Sequence, residues 1–228
     1  MKTIVAMLFL LLPAFGQTIQ ITDNSPSDSP ITFKGAITFG PGSTDVACAI
    51  TGRSNASRVI VAYGGVADVM RPDGHHFVPP FTHDHFFKDA PTLAMMSPQP
   101  HLDWDLDYDC SGFGQNDGHY IATPQSPSMS VSATFVQLDD GSVWGDPQAM
   151  KEVMFQRQEA IAYLQSLKAS SDLPQALATA PPLKESDQHV RWERFLRWIS
   201  LSKETSAQAQ AELDQCLTAA QAHAAWLK

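Results

Sequence analysis

The sequence predicts an α+β chain, an antiparallel β-sandwich followed by a C-terminal segment of about three helices, and three observations predict it. The front half is a succession of short apolar-alternating runs broken by clusters of Pro, Gly, Asn, Asp and Ser, the pattern of a sandwich rather than of a helical bundle. From Thr18 to Asp146 the acidic residues are 15 Asp and no Glu, whereas the rest of the chain uses both; Asp suits turns and Glu suits helices. At Asp146-Pro147 the apolar period lengthens to that of a helix, and Asp at an N-cap followed by Pro at the first helical position is a start signal. The expected units are a signal peptide over 1–16, a sandwich over 17–146 and a helical segment over 147–228.

Each element has its own local reason. Met1-Lys2-Thr3 leads into an apolar run from Ile4 to Leu12 and then Ala14-Phe15-Gly16, a small-x-small pattern that signal peptidase accepts, so cleavage after Gly16 is expected. The run is well short of the ~20 apolar residues a membrane-spanning helix requires, and no later segment is apolar enough to span. Export to the periplasm or the exterior, with no integral membrane segment left after cleavage, is the expected localisation. Strands are expected over 18–22, 31–39, 45–52 and 58–70, the last interrupted by Gly64-Gly65, which marks a bulge or a close backbone approach. The run from Pro72 to His101 reads as loop-rich, with Thr82-His83-Asp84-His85-Phe86-Phe87 as an edge strand whose Phe81, Phe86 and Phe87 supply packing.

Residues 102–110, Leu-Asp-Trp-Asp-Leu-Asp-Tyr-Asp-Cys, alternate strictly, which predicts a half-buried strand with four aspartates on its wet face. Asp139-Asp140-Gly141 between apolar runs predicts a hairpin. Beyond Asp146 one helix is expected over 147–169, with Met150, Val153, Met154, Ile161, Leu164 and Leu167 recurring at helical spacing. A second opens at Ser186 and carries Trp192 and Trp198 beside a ridge of Arg191, Arg194 and Arg197; a third covers roughly 203–226.

The front half carries a net charge of −10 and the back half is balanced, so the chain repels phosphate backbones and nucleic acid is excluded as a partner. Three cysteines occur. In an oxidising compartment two pair and one is left over; Cys48 and Cys110, on two different strands, are the expected disulfide, and Cys216 in a helical apolar pattern is expected to be a buried thiol.

The Asp-Tyr-Asp-Cys sequence at 107–110, with Cys48 upstream, resembles the immunoglobulin-type sandwich, in which a Tyr-x-Cys on one inner strand pairs with a cysteine on the facing sheet. The resemblance implies an Ig-like fold; it departs from the family in having Tyr63, not Trp, as the nearest aromatic after the first cysteine. More loosely, the whole chain is similar to uncharacterised exported bacterial proteins that begin with such a sandwich and end in helices, which implies no activity.

The residues that carry potential chemistry are few. On a strand His83 and His85 would lie on one face about 7 Å apart, where they would share Zn²⁺ or Cu²⁺ with His75, His76 or a loop Asp. No cupin-type Glu follows the pair, and no Asp-His of the metallo-β-lactamase kind. The alternating aspartates lack the glycine and glutamate of a calcium loop and do not converge. Nucleophile, zincin and phosphate-loop motifs are absent from the sequence. Asn55-Ala56-Ser57 forms a glycosylation sequon that a turn explains equally well. The expected function is therefore that of an exported non-catalytic module binding a protein or surface ligand. The alternative is a divalent-metal-binding protein or metal-dependent hydrolase using the His-x-His segment, with Zn or Cu as its cofactor.

Overall fold

A computed structural model of the chain describes residues 17–40, 46–106, 110, 119–121, 126–173, 175–176 and 206–227. The expected signal segment, Asp107 to Asp109, the glycine-rich run 111–118, and the helix from Ser186 with Arg191, Arg194 and Arg197 lie outside the described residues. The elements are β1 (Gln17–Asp23), β2 (Ile31–Phe39), β3 (Val46–Ser54), β4 (Ile60–Met70), β5 (His75–Phe77), β6 (Pro80–Asp84), α1 (Ala90–Met96), β7 (Asp103–Leu106), β8 (His119–Tyr120), β9 (Ser128–Leu138), β10 (Val143–Gly145), α2 (Pro147–Lys168) and α3 (Ser206–Ala222), then a 3-10 turn at Ala224–Leu227.

The chain is α+β, and its strands run β7-β3-β2-β1-β9-β4-β5-β8, with β10 added on β9 and β6 on β4. The expectation of a wholly antiparallel sandwich is corrected at β1. Gln17 to Gln20 pair antiparallel with β2, whereas Ile21 to Asp23 pair parallel with β9. The sheet is mixed because β1 changes partners partway along. It curls there, so that its two arms enclose one core. Ile31, Phe33, Ile37 and Ile50 from one arm meet Ile60, Tyr63, Val69 and Val136 from the other. The Phe33 and Phe81 rings touch edge to face at 6.0 Å, and Trp104 Nε1 donates to the Tyr63 hydroxyl at 3.1 Å.

The paired cysteines are those expected, Cys48 and Cys110. Their placement differs from what the immunoglobulin resemblance implies. β3 and β7 are hydrogen-bonded neighbours in register Ile50↔Leu106, so the bridge ties Cys48 of β3 to the chain just beyond the adjacent strand instead of crossing between facing layers.

Strand phase decides what β4 presents to each side. The register slips between Ile60 and Ala62 and again between Gly64 and Gly65. The first slip turns two consecutive residues outward: Val61 packs with Phe86 and the helices, and Ala62 with Phe135, Met150 and Val153, while Ile60 and Tyr63 stay in the inner core. At the second, the backbone approach is too close for side chains. A Cβ on Gly64 would lie 2.3 Å from the Phe135 ring, and one on Gly65 2.3 Å from the Ser132 carbonyl oxygen. The expected hairpin forms with Gly141 at φ +86°, where glycine is favoured, its N–H bonded to the Leu138 carbonyl at 2.9 Å.

α2 starts where expected. Asp146 caps it by accepting from the Gln148 N–H at 2.8 Å, with Pro147 in the first turn. Its buried stripe, Met150, Val153, Arg157, Ala160, Leu164 and Leu167, lies on the outer side of β4 and β9, and α3 packs beside it through Ala209, Leu213, Cys216 and Ala220. α1 falls in the run that the sequence predicts to be loop-rich. The Asp89 carboxylate caps it, accepting the Thr92 N–H at 2.9 Å, with Pro91 in the first turn.

Removing the disulfide in a Cys48→Ala/Cys110→Ala variant is expected to lower the unfolding free energy by about 2–4 kcal/mol. Urea unfolding of the oxidised wild type against the variant measures it, and an unchanged midpoint contradicts it.

Candidate functional site

The Thr82-His83-Asp84-His85 segment draws attention in the sequence, and its geometry follows from its register on β4. His83 stands opposite Tyr63 and Asp84 opposite Ala62, so alternation sends His83 toward the inner core and Asp84 toward the helices. The His83 ring stacks on Tyr63 with centroids 4.9 Å apart and an interplanar angle of 15°. After His85 the chain turns: Asp84 Oδ1 accepts the Phe86 N–H at 3.0 Å, and the His85 carbonyl accepts the Lys88 N–H at 2.9 Å.

Asp84 meets Arg157, which lies at the centre of the α2 stripe and is 1 % exposed. Arg157 Nε donates to Asp84 Oδ2 at 3.0 Å and Nη2 to Oδ1 at 2.9 Å, a two-pronged ion pair. Nη1 donates to Gln137 Oε1 at 2.8 Å and to the Trp226 carbonyl at 3.4 Å. The guanidinium carbon lies 4.6 Å from the centroid of the Phe86 ring. Gln137, itself fully buried on β9, has its amide orientation fixed by these partners, because its Nε2 donates to the same Trp226 carbonyl at 3.1 Å. Trp226 Nε1 donates to the Asp139 carbonyl at 2.9 Å, and His223, stacked on Trp226 at 3.9 Å, donates from Nδ1 to the Phe86 carbonyl at 2.7 Å. A carbonyl can only accept, so Nδ1 carries the proton. The cluster joins β6, β9, α2 and the C-terminal turn.

The sequence-predicted ligands are spread out. His83 pairs with Tyr63 and His76 with Met70, seven residues apart along β4, or about 23 Å at strand rise. Among the described residues no three His, Cys, Asp or Glu side chains gather as metal ligands would. His75 Nδ1 lies 3.2 Å from Asp73 Oδ1 in the turn after β4, and its ring stacks with Phe77. His85 is largely enclosed. Burial pushes its imidazole below its ordinary pKa, against the nearby Asp84 charge, which raises it, and with the smaller help of Lys88.

His76 has partners the sequence did not announce. Its Nε2 donates to Asp68 Oδ1 at 2.8 Å, and its Nδ1 accepts a hydrogen bond from Nε2 of His119 at 3.2 Å. Asp68 sits on β4, His76 opposite Met70 on β5, and His119 opposite His76 on β8. The two rings are close to perpendicular, at 86°, with centroids 4.9 Å apart.

Of the aspartate row, Asp103 is exposed and shared by Lys34 Nζ at 2.6 Å and Arg53 Nη1 at 3.0 Å, which hold its pKa below the usual carboxylate range. Cys216 is buried as expected, and burial pushes its thiol up to about 11.

Arg157→Ala leaves the Asp84 carboxylate half-buried without its cation and is expected to cost about 3–5 kcal/mol. The paired replacement Arg157→Met with Asp84→Leu is expected to cost less than the sum of its two single changes; strict additivity in chemical denaturation contradicts the coupling. For His85 the sign is set by burial. Above pH ~6.5 both states carry the neutral ring, and below it the unfolded chain takes up a proton that the folded chain refuses. Stability is therefore lost as pH falls from about 6.5 toward the lowered folded-state pKa, by up to about 1.4 kcal/mol per pH unit. His85→Gln is expected to flatten that slope in urea unfolding at pH 7 and pH 5, and an unchanged slope contradicts it. Comparison of the chain with protein-family models, curated proteins and solved structures finds no match in any of the three.

Proposed function

We propose that this chain is an exported, non-catalytic interaction or structural module of the cell surface or periplasm, in which a curled sheet and a helical layer form one body. The observation that carries the reading is the employment of Asp84: the segment richest in potential chemistry is committed to Arg157 and so holds the helices to the sheet. The disulfide supports export, because such a bridge persists in oxidising compartments. No helix among the described residues is long and apolar enough to cross a membrane. The single core between the two arms of the sheet supports an immunoglobulin-like description; the parallel β1–β9 pair and a disulfide between neighbouring strands make it a departure from that pattern. For the contact surface, Met95, Met96 and Leu102 lie within eight residues of one another and are 79 %, 54 % and 57 % exposed; adaptable methionines suit such a surface.

A photo-crosslinking side chain at Met95 or Met96 is expected to give a discrete adduct in the producing cells, while one at Gln148, on the exposed first turn of α2, gives none. The oxidised protein is expected to show no turnover of esters, phosphoesters, glycosides or peptides above blank. Turnover that is lost in His76→Ala contradicts the reading.

A further inference from the structure

We propose that His76 and His119 form a two-imidazole site for a divalent transition metal, Cu²⁺ or Zn²⁺, with Asp68 as the group that orients His76. This goes beyond the function proposed above, which requires no metal, and it places the site at the β4–β5–β8 end of the sheet, away from His83 and His85.

The geometry points there through two independent distances. Two imidazoles held at roughly 2.05 Å on one ion, with an angle between about 90° and 110° at the metal, have their ligating nitrogens about 2.9–3.4 Å apart and their ring centroids about 4.5–5.2 Å apart. His76 Nδ1 and His119 Nε2 are 3.2 Å apart, and the centroids are 4.9 Å apart; without metal this contact is a hydrogen bond, and an ion enters when the His119 proton moves from Nε2 to Nδ1, so that both facing nitrogens offer lone pairs. Both separations match rings aimed at a common centre. The second nitrogen of His76 donates to Asp68 at 2.8 Å, which fixes the tautomer so that Nδ1 presents its lone pair, the carboxylate–histidine–metal arrangement found around bound metals.

Position favours the same reading. His76 and His119 are directly opposite in the β5–β8 register, so the backbone ladder, and not chance meeting of two loops, sets their spacing. Three strands in succession contribute: Asp68 from β4, His76 from β5 and His119 from β8. His119 is exposed, and among the described residues no third protein donor takes the remaining coordination positions. With two protein donors the site is exchangeable, and by the ordinary affinity order Cu²⁺ binds it more tightly than Zn²⁺.

The test uses the full disulfide-intact chain with CuCl₂ and, separately, ZnCl₂, read by calorimetric titration and, for copper, by electron paramagnetic resonance. One saturable equivalent is expected, with nitrogen hyperfine structure from two imidazoles. His76→Ala and His119→Ala are each expected to weaken binding at least tenfold and to remove one nitrogen from the spectrum. Asp68→Asn is expected to weaken it about 10-fold to 100-fold while both nitrogens remain. A His83→Ala/His85→Ala variant is expected to bind as wild type does. Circular dichroism of each variant confirms that the fold persists; should His76→Ala unfold, His119→Ala on the edge strand decides alone. Wild type that shows no saturable binding, binding unaffected by His119→Ala, or binding lost only in the His83/His85 variant overturns the proposal. None of these results bears on the crosslinking and turnover measurements, so the two readings fail separately.

Discussion

The docking of the helical layer on the sheet depends on one buried cation. Arg157 lies in the apolar stripe of α2 with almost no exposure, and a guanidinium taken out of water is tolerated only where its charge and its donors are met. Asp84 meets the charge, Gln137 and the Trp226 carbonyl take a further donor, and Phe86 supplies the face of its ring. Each partner comes from a different part of the chain: β6 or the turn that follows it, β9, and the C-terminal turn. The interaction therefore acts as a registration device. The two-pronged pair to Asp84 is directional and adds to the apolar packing of α2 a contact that one placement satisfies. The adjacent contacts, Trp226 to the Asp139 carbonyl and His223 to the Phe86 carbonyl, extend the same constraint to the end of the chain.

That constraint explains the disposition of the histidines. Because Asp84 is drawn outward to Arg157, alternation along β6 turns His83 inward onto Tyr63, and the chain leaves the ladder at His85. A chelating His-x-His would need both rings on one open face. Here the intervening aspartate is the residue under the strongest demand, and it fixes the phase against them. At the other end of β4 a second buried cation, Arg71, takes Asp73 at 2.6 Å, while His76 takes a carboxylate on one nitrogen and a second imidazole on the other.

Much of the fold is legible in the sequence where a local rule is strong. β2 matches its alternating run, α2 its Asp-Pro start, and the hairpin at Asp139 its Asp-Asp-Gly turn. The parallel pairing of β1 with β9 is not legible, since it depends on a change of partner within a seven-residue strand that has no turn residue to mark it. Leu102 breaks the alternation expected of its run by being exposed, because β7 begins only at Asp103. α1 had a readable signal in Asp89 followed by Pro91, the same kind of start as at Asp146, hidden in a run rich in other prolines. The Arg157 site also had one. Reading 150, 153, 157, 160, 164 and 167 as a single helical stripe places an arginine at its centre, and a charge at a core position demands a buried partner. What the helix pattern cannot say is which acid answers it, because Asp84 lies 73 residues away. The His76–His119 pair is illegible for a related reason: it depends on β8, a two-residue strand whose pairing with β5 leaves no periodic trace.

Joined at Arg157, the helical layer and the sheet are expected to open as one cooperative body, and not as a sandwich with a detachable tail. Native-state hydrogen exchange of the oxidised chain tests this most directly. The account predicts that the amides of α2 around Arg157, of α3 and of β4 and β9 exchange with the same opening free energy and the same denaturant dependence. Exchange through α2 and α3 at a much lower free energy, with β4 and β9 still protected, would contradict it.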